Sequence, residues 1–591
     1  MYPFLVAFVS LLLVGGLTAP AHAALTVAGI FGNHAVLQRN MRAPVWGTAN
    51  ANEQVTVTYK GSTVSIRAAA DGTWRVDLPP MEATSGSSDM VISAASGAIT
   101  LVDVQVGEVW VGSGQSNMDQ PLQFDSDPTA IPDSGNYNIR LYNAGSGGGW
   151  QISDSTTAPS FSDTLWFFGR YLAKALPPGV AVGLIEAAKS GTAIETWSTR
   201  AGSGTNYLAL VKPLQPYAIR GVLWWQGEAD TKSLKDAEAY YAQLPTLIDE
   251  WRTDWRQGSF PFYVTQLEPY GSTYVRVIRD AQLQAALSGD PDTWTAFNIA
   301  YPENIVHPHY REPFAYRLFR LAQKNVYGQD VVPCGPIANV NKSSISGNQV
   351  VVGFDFVGAG LKTESDGAPT EWEIAGGDGI YHPATASLNS TTNTVVLTSS
   401  SVQNPVSVRY AYTDVPTTPN LLLNSDDLEA TPIRELRPLV ATTPPQDYFC
   451  STLSLNTGTL KSGGDCSTVH DSDNVYLVVG SARSGSKQST QVTYTFNTGL
   501  NSLSSLSFTV EGRVSVGSQP QTVYLYNYST SAWVSVGKTT LTTTDTTAMA
   551  NVSSPANYIS GGTVQVRVKA GGSGSTAFDS STDLVKIRAA P

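Results

Sequence analysis

Charge is scarce in this chain: Asp, Glu, Lys and Arg together make up only 14% of its 591 residues. Its surface must therefore be built largely from Ser, Thr, Asn, Gln and Gly, which suits a neutral polar ligand. The net charge of -12 opposes a phosphate backbone, so nucleic acid is not an expected partner. Cysteine is scarcer still, at three. Cys334, Cys450 and Cys466 stand beside no His cluster and form no metal site of recognisable spacing. Cys450 and Cys466 are the natural disulfide pair in an oxidising compartment, while Cys334 reads as a buried small residue. The one long apolar run, Phe4 to Leu17, is too short to span a bilayer. It is followed by Ala19-Pro20-Ala21-His22-Ala23, with small residues where a signal peptidase reads, although no Lys or Arg precedes it. Cleavage after Ala23 is expected, which implies a secreted or periplasmic protein with no membrane association after cleavage.

What is present is abundant apolar material, 42% of the chain, enough for several cores. At roughly 100–200 residues per domain the length implies three or four domains. After a signal peptide at 1–23, residues 24–106 alternate apolar and polar in short runs such as Gln54-Val55-Thr56-Val57-Thr58-Tyr59, the pattern of a β module. Residues 107–330 change to buried strands followed by helical segments, among them Leu165 to Leu176, Ala237 to Asp254 and Glu312 to Gln323, the texture of an α/β domain. Strand texture returns over 331–440, a β module expected to pack on the α/β domain. The Thr-Thr-Pro-Pro at 442–445 reads as a linker. Residues 441–591, rich in Ser, Thr and Gly, look like an appended β-sandwich that could bind carbohydrate through Tyr526, Tyr528 or Trp533 or act as a spacer.

Chemistry concentrates in the α/β segment. The apolar strand Val109-Trp110-Val111 runs into Gly112-Ser113-Gly114-Gln115-Ser116-Asn117-Met118, small residues that let the chain turn sharply and expose a hydroxyl at the strand's carboxyl end. A Ser in a Gly-rich turn is usually structural, so Ser116 gains weight only from its company. Ala181 to Ile185 reads as the next buried strand and leads to Ser190-Gly191-Thr192, where an unhindered Gly N–H could meet a ligand oxygen. Gly221 to Trp225 delivers Gln226-Gly227-Glu228 at its end, and His307-Pro308 stands before the last helical segment. A serine ester hydrolase needs a nucleophile, oxyanion donors and a base. Ser, Gly, Gln and His arrive in that order.

These blocks resemble the sialate O-acetylesterase family of carbohydrate esterases, within the SGNH hydrolase class. The matches are Gly114 to Met118, Gly191-Thr192-Ala193-Ile194-Glu195-Thr196-Trp197, Trp224-Trp225-Gln226-Gly227-Glu228 and His307-Pro308, with Pro44-Val45-Trp46-Gly47 and Asp71-Gly72-Thr73-Trp74 upstream. The resemblance implies a three-layer α/β/α catalytic domain with flanking β modules. It also implies Ser116 as nucleophile, His307 as base, and the Ser116 and Gly191 N–H groups with the Gln226 amide as oxyanion hole. The implied substrate is an acetylated oligo- or polysaccharide, cleaved with no metal or organic cofactor. Gln115, Asn117, Trp197 and Trp225, next to these blocks, are candidates for shaping the substrate site.

One position departs from the family pattern. An Asp usually precedes the His by two or three residues, but Ile305 and Asn304 stand there. An Asn can orient an imidazole yet cannot stabilise imidazolium as a carboxylate does. The expected arrangement is a Ser116–His307 dyad supported by Asn304 or a backbone carbonyl, with Glu228 and Glu303 as candidate carboxylates from elsewhere. His309 is the alternative base, and Asp119 reads as a polar contact at a helix start.

Overall fold

The computed structural model describes residues 24–299, 303–416, 420–437, 439–440, 446–470, 472, 474–572 and 574–590. The expected signal peptide and the 442–445 linker lie outside these residues. The chain divides into two compact units, Met1–Pro438 and Leu439–Pro591.

In the first unit the functional blocks hang from a sheet whose central strands are parallel. These are β1 (Gly97–Gly114), β2 (Ile139–Asn143), β3 (Ala181–Ala188), β4 (Gly221–Trp225), β5 (Phe262–Thr265) and β6 (Thr293–Ala296). They lie in the order β6-β5-β4-β1-β3-β2, every neighbouring pair parallel. Parallel strands are buried on both faces, which is why β4 reads Gly-Val-Leu-Trp-Trp with every residue buried. Four longer helices accompany it: α2 (Asp163–Ala175), α3 (Leu234–Trp255), α4 (Val275–Ala286) and α5 (Glu312–Asn325), after the short α1 (Ser116–Asp119). Helices α2 and α5 pack together, as do α3 and α4. Both α2 and α3 begin earlier than their apolar periodicity suggests, because Ser162 and Ser233 cap them by accepting from the N–H groups of Leu165 and Asp236.

β1 belongs to two structures. Its first half pairs antiparallel with Ser88–Ala94, and its second half enters the parallel sheet, so burial changes from alternating to continuous along one strand. No chain break separates the N-terminal β strands from the α/β sheet. The join is reinforced by Glu108, whose fully buried carboxylate accepts from Arg39 at 2.5 Å and from Arg220 at 2.9 Å.

Residues 337–436 form further antiparallel sheets around their own buried cluster, which includes Val350, Val352, Trp372, Val395, Val408 and Tyr410. This segment is tied to the α/β part by Arg317, which pairs with Glu429 at 2.7 Å, and by Arg276 and Arg320, which pair with Asp414 and Asp426. The second unit holds two six-stranded antiparallel sheets, whose buried Val479, Phe508, Leu525, Val566 and Ile587 form one cluster. Cys450 and Cys466 are joined as a disulfide with Cα atoms 5.3 Å apart, and Cys334 is free and buried.

The turn after β1 depends on Gly114. Its φ of 135° is one that L side chains rarely adopt, and a Cβ there would stand 1.9 Å from the Trp225 carbonyl oxygen of β4. Gly114→Ala should therefore cost on the order of 2–4 kcal/mol, read as a lowered midpoint in thermal or urea unfolding.

Candidate active site

Ser116 opens α1 directly beyond the Gly114 turn. The Gln115 N–H donates to the Trp225 carbonyl at 2.9 Å, so the end of β4 holds the turn from behind. Ser116 Oγ lies 2.8 Å from His307 Nε2, a distance suited to the hydroxyl donating to a neutral imidazole. Among the described residues neither the Ser116 nor the Gly191 backbone N–H has a protein acceptor. Gly191 takes a φ of 74° in an exposed turn beyond β3. That turn is held by Asp119 of α1, whose Oδ2 accepts from the Ser190 N–H at 2.9 Å and the Ser190 hydroxyl at 2.6 Å. The polar contact expected of Asp119 thus joins the first block to the second.

The third block is buried. The Gln226 Nε2 donates toward Thr192 O at 3.0 Å, Asp230 Oδ2 at 2.5 Å and Gln115 Oε1 at 3.3 Å, which fully occupies its two hydrogens. To serve as a third oxyanion donor it would have to exchange one of these partners for a substrate oxygen. Gln115 itself is buried, and its Oε1 also accepts from the Ala229 N–H at 3.1 Å. Trp197 and Trp225 are both 0% exposed. Trp197 donates through Nε1 to Thr192 Oγ1, and Trp225 stacks on Phe314. They therefore back the loops instead of presenting a ring to solvent.

Asn117 lies at the centre of a polar network the sequence left unread. Its Nδ2 donates to the Val306 carbonyl at 2.8 Å, to Glu228 Oε1 at 2.5 Å and toward Glu268 Oε1 at 3.3 Å, while its Oδ1 accepts from Arg311 Nη2 at 3.0 Å. Arg311, itself buried, also pairs with the buried Asp163 at 3.0 Å, and its N–H donates to Asp125. Burial pushes Asp163 up to about 7, the nearby Arg311 cation opposing it. Burial also raises Glu228 and Glu268, and like-charge repulsion from Glu228 raises Glu268 further. Both carboxyls behind this amide are thereby pushed toward their neutral forms.

The candidate supports for His307 are placed as follows. Asn304 is exposed, with a φ of 51°, and among the described residues it makes no hydrogen bond to His307. Glu303 turns to His309, accepting from its N–H at 2.7 Å and lying 3.3 Å from its Nδ1. Glu228 reaches Asn117 and not the imidazole. The histidine loop is also joined to the Ser116 turn through the backbone carbonyl of Val306, held by Asn117. Among the described residues no group of three or more His, Cys, Asp and Glu side chains is arranged to hold a metal.

A serine hydroxyl and an imidazole at hydrogen-bond distance, beside two free backbone donors, suit acyl chemistry, and comparison with known proteins identifies a carboxylic ester hydrolase. A family model described as a carbohydrate esterase, sialic acid-specific acetylesterase, matches residues 106–309. A solved carbohydrate acetylesterase from Xanthomonas citri shares 30% identity, covering 69% of this chain and 98% of that one, with a TM-score of 0.64. Sialate O-acetylesterases of Homo sapiens and Pongo abelii are each 25% identical over 376 residues, covering 51% of this chain and 71% of the relative. Residues 462–581 match a model for an N-terminal glycosyl-hydrolase-114-associated domain. The chain belongs to the sialic acid-specific acetylesterase family of carbohydrate esterases.

Two outcomes follow from the charges. Desolvation and then the Arg311 cation lower the His307 pKa below its ordinary 6.5, so the neutral imidazole persists into mild acid. The acid limb of kcat/KM should lie below pH 6.5, activity falling as pH drops through the lowered value. Glu228→Gln keeps an oxygen for Asn117 and should leave kcat/KM within about fivefold, measured on a small acetyl ester; a far larger loss would make Glu228 an acid in the reaction.

Proposed function

We propose that this chain is an exported serine esterase that removes O-acetyl groups from carbohydrate through an acetyl-Ser116 intermediate. The single observation that carries the reading is the 2.8 Å approach of Ser116 Oγ to His307 Nε2. In the first half-reaction Ser116 Oγ attacks the acetyl carbonyl and its proton passes to His307 Nε2. The tetrahedral oxyanion is met by the Ser116 and Gly191 N–H groups, with Gln226 joining by exchanging its bond to Gln115. The proton on His307 then goes to the departing sugar oxygen. Water replaces the sugar, loses a proton to His307 and attacks the acetyl-Ser116 ester, which releases acetate and restores the hydroxyl.

The reading extends to architecture. The helix pairs α2–α5 and α3–α4 support a three-layer α/β/α domain over 107–330, and the two sheets with one shared core support a β-sandwich over 441–591. Of the two substrate classes, plant cell-wall polysaccharide is favoured over sialic acid because an appended β unit can hold an enzyme on an extended polymer. Secretion or a periplasmic location rests on the apolar run and small-residue site before Leu25.

Acetate release from acetylated xylan, xyloglucan, pectin and sialic acid decides the substrate. Ser116→Ala and His307→Ala should each lower kcat/KM by about a thousandfold or more, with the fold intact by circular dichroism. Undiminished release by Ser116→Ala would sink the assignment.

A further inference from the structure

The second unit carries a charge asymmetry that the esterase reading does not use. One of its sheets runs Thr452–Thr457, Lys487–Asn497, Thr563–Gly571, Gln519–Asn527, Ala532–Leu541, with Ala482–Ser484 beside Lys487–Asn497. These strands contain Arg483, Lys487, Lys538, Arg567 and Lys569 and no Asp or Glu, in a protein whose net charge is -12. The partner sheet is different, since three of its four cations pair with its own acids, Lys461 with Asp579 at 2.6 Å and Lys586 and Arg588 with Asp447 at 2.8 and 3.2 Å, while Arg513 lies over the Tyr476 ring. Among the described residues none of the cations on the first sheet has an ion-pair partner.

Strand alternation sorts this sheet into two faces. Val564, Val566 and Val568 turn to the core, as do Val523 and Leu525. Arg567 and Lys569 therefore share the outward face with Tyr524 and Tyr526. The register sets Tyr524 beside Arg567, Tyr526 beside Trp533, and Thr522 between Lys569 and Lys538.

Arg567 is held ready. Its guanidinium carbon lies 3.7 Å from the centroid of the Trp533 ring, and its Nε donates to Thr493 Oγ1 at 3.1 Å. Thr493 in turn donates to Asn456 Oδ1 at 2.6 Å, and Tyr526 meets Trp533 edge-on at 5.2 Å. Both terminal nitrogens of Arg567 are left without an acceptor among the described residues. A planar guanidinium fixed by stacking, with its fork open, fits a carboxylate bidentately. Lys569, two residues along the strand, stands roughly 7 Å further on the same face, a second cation for a polymer bearing several carboxylates.

We propose that this face binds a carboxylate-bearing polysaccharide, with Arg567 reading a uronate carboxylate, Lys538 and Lys569 flanking it, and Tyr524 and Tyr526 meeting the sugar rings. The face lies within the second unit, and its binding does not require ester cleavage.

Calorimetric titration of the full chain with polygalacturonate, xyloglucan and double-stranded DNA tests this. Wild type should bind polygalacturonate, more weakly at about 200 mM than at about 50 mM salt, and bind xyloglucan far less. Arg567→Ala should weaken polygalacturonate binding by about tenfold or more and Arg567→Lys should restore only part of it, because an ammonium lacks the fork. Acetate release from a small soluble ester should be unchanged in both, which keeps this result apart from the fate of the esterase reading. No binding to polygalacturonate, equal binding by Arg567→Ala, or DNA held as tightly as polygalacturonate overturns the proposal. Should Arg567→Ala lower the melting temperature, the exposed Lys538→Glu decides: a loss of about threefold or more supports the face, and unchanged affinity overturns it.

Discussion

The 2.8 Å bond from Asn117 Nδ2 to the carbonyl of Val306 holds together two loops whose functional residues are 191 positions apart in sequence. Ser116 rides on a turn fixed by the sheet, but His307 sits on an exposed loop. Among the described residues no carboxylate meets the imidazole, and that loop has another hold on the Ser116 turn. A side chain adjacent to the serine supplies it, and Arg311 grips the other end of the same amide. The candidate dyad is thus oriented through backbone and amide contacts, which constrain position without placing a counter-charge on the histidine.

That solution brings ionisable groups into the interior. Glu228, Glu268, Asp163 and Arg311 are all buried behind Asn117. A buried charge costs several kcal/mol unless it is paired or neutralised, and this cluster does both: Arg311 pairs with Asp163, while the two glutamates are pushed toward their neutral forms. Polar networks of this kind favour one arrangement over near alternatives when their members are satisfied together, which fixes the turn that carries Ser116.

Much of this was legible in the sequence where local chemistry decides local structure. Continuous apolar strands ending in Gly-Gln-Ser, Ser-Gly-Thr and Gln-Gly-Glu announced both the α/β texture and the loops at its carboxyl edge. The helix starts were harder, since Ser162 and Ser233 cap helices whose first turns are not apolar. Asp163 and Glu268 were invisible as site residues because their partners come from distant segments, and only their polarity among Leu165-Trp166-Phe167-Phe168 and Phe262-Tyr263-Val264 marked them. Trp197 and Trp225 show the opposite difficulty: adjacency to a functional loop says nothing about whether an aromatic ring faces outward or supports the loop from within.

The strand Gly97–Gly114 has a consequence for how the protein is made. As the chain leaves the ribosome, the N-terminal half of that strand can pair with Ser88–Ala94 at once, a local hairpin that forms quickly. The strand's last residues must wait, because their parallel neighbours Ala181–Ala188 and Gly221–Trp225 come only after long crossovers have been synthesised. During that interval the ribbon Val109–Gly114, buried along its whole length in the finished protein, projects with both edges bare beyond Gln105–Gly107, which the earlier Val36–Gln38 can already pair. The residues that later aim the serine are thus the part of the molecule most exposed to mispairing during synthesis, and the early hairpin anchors one end of them.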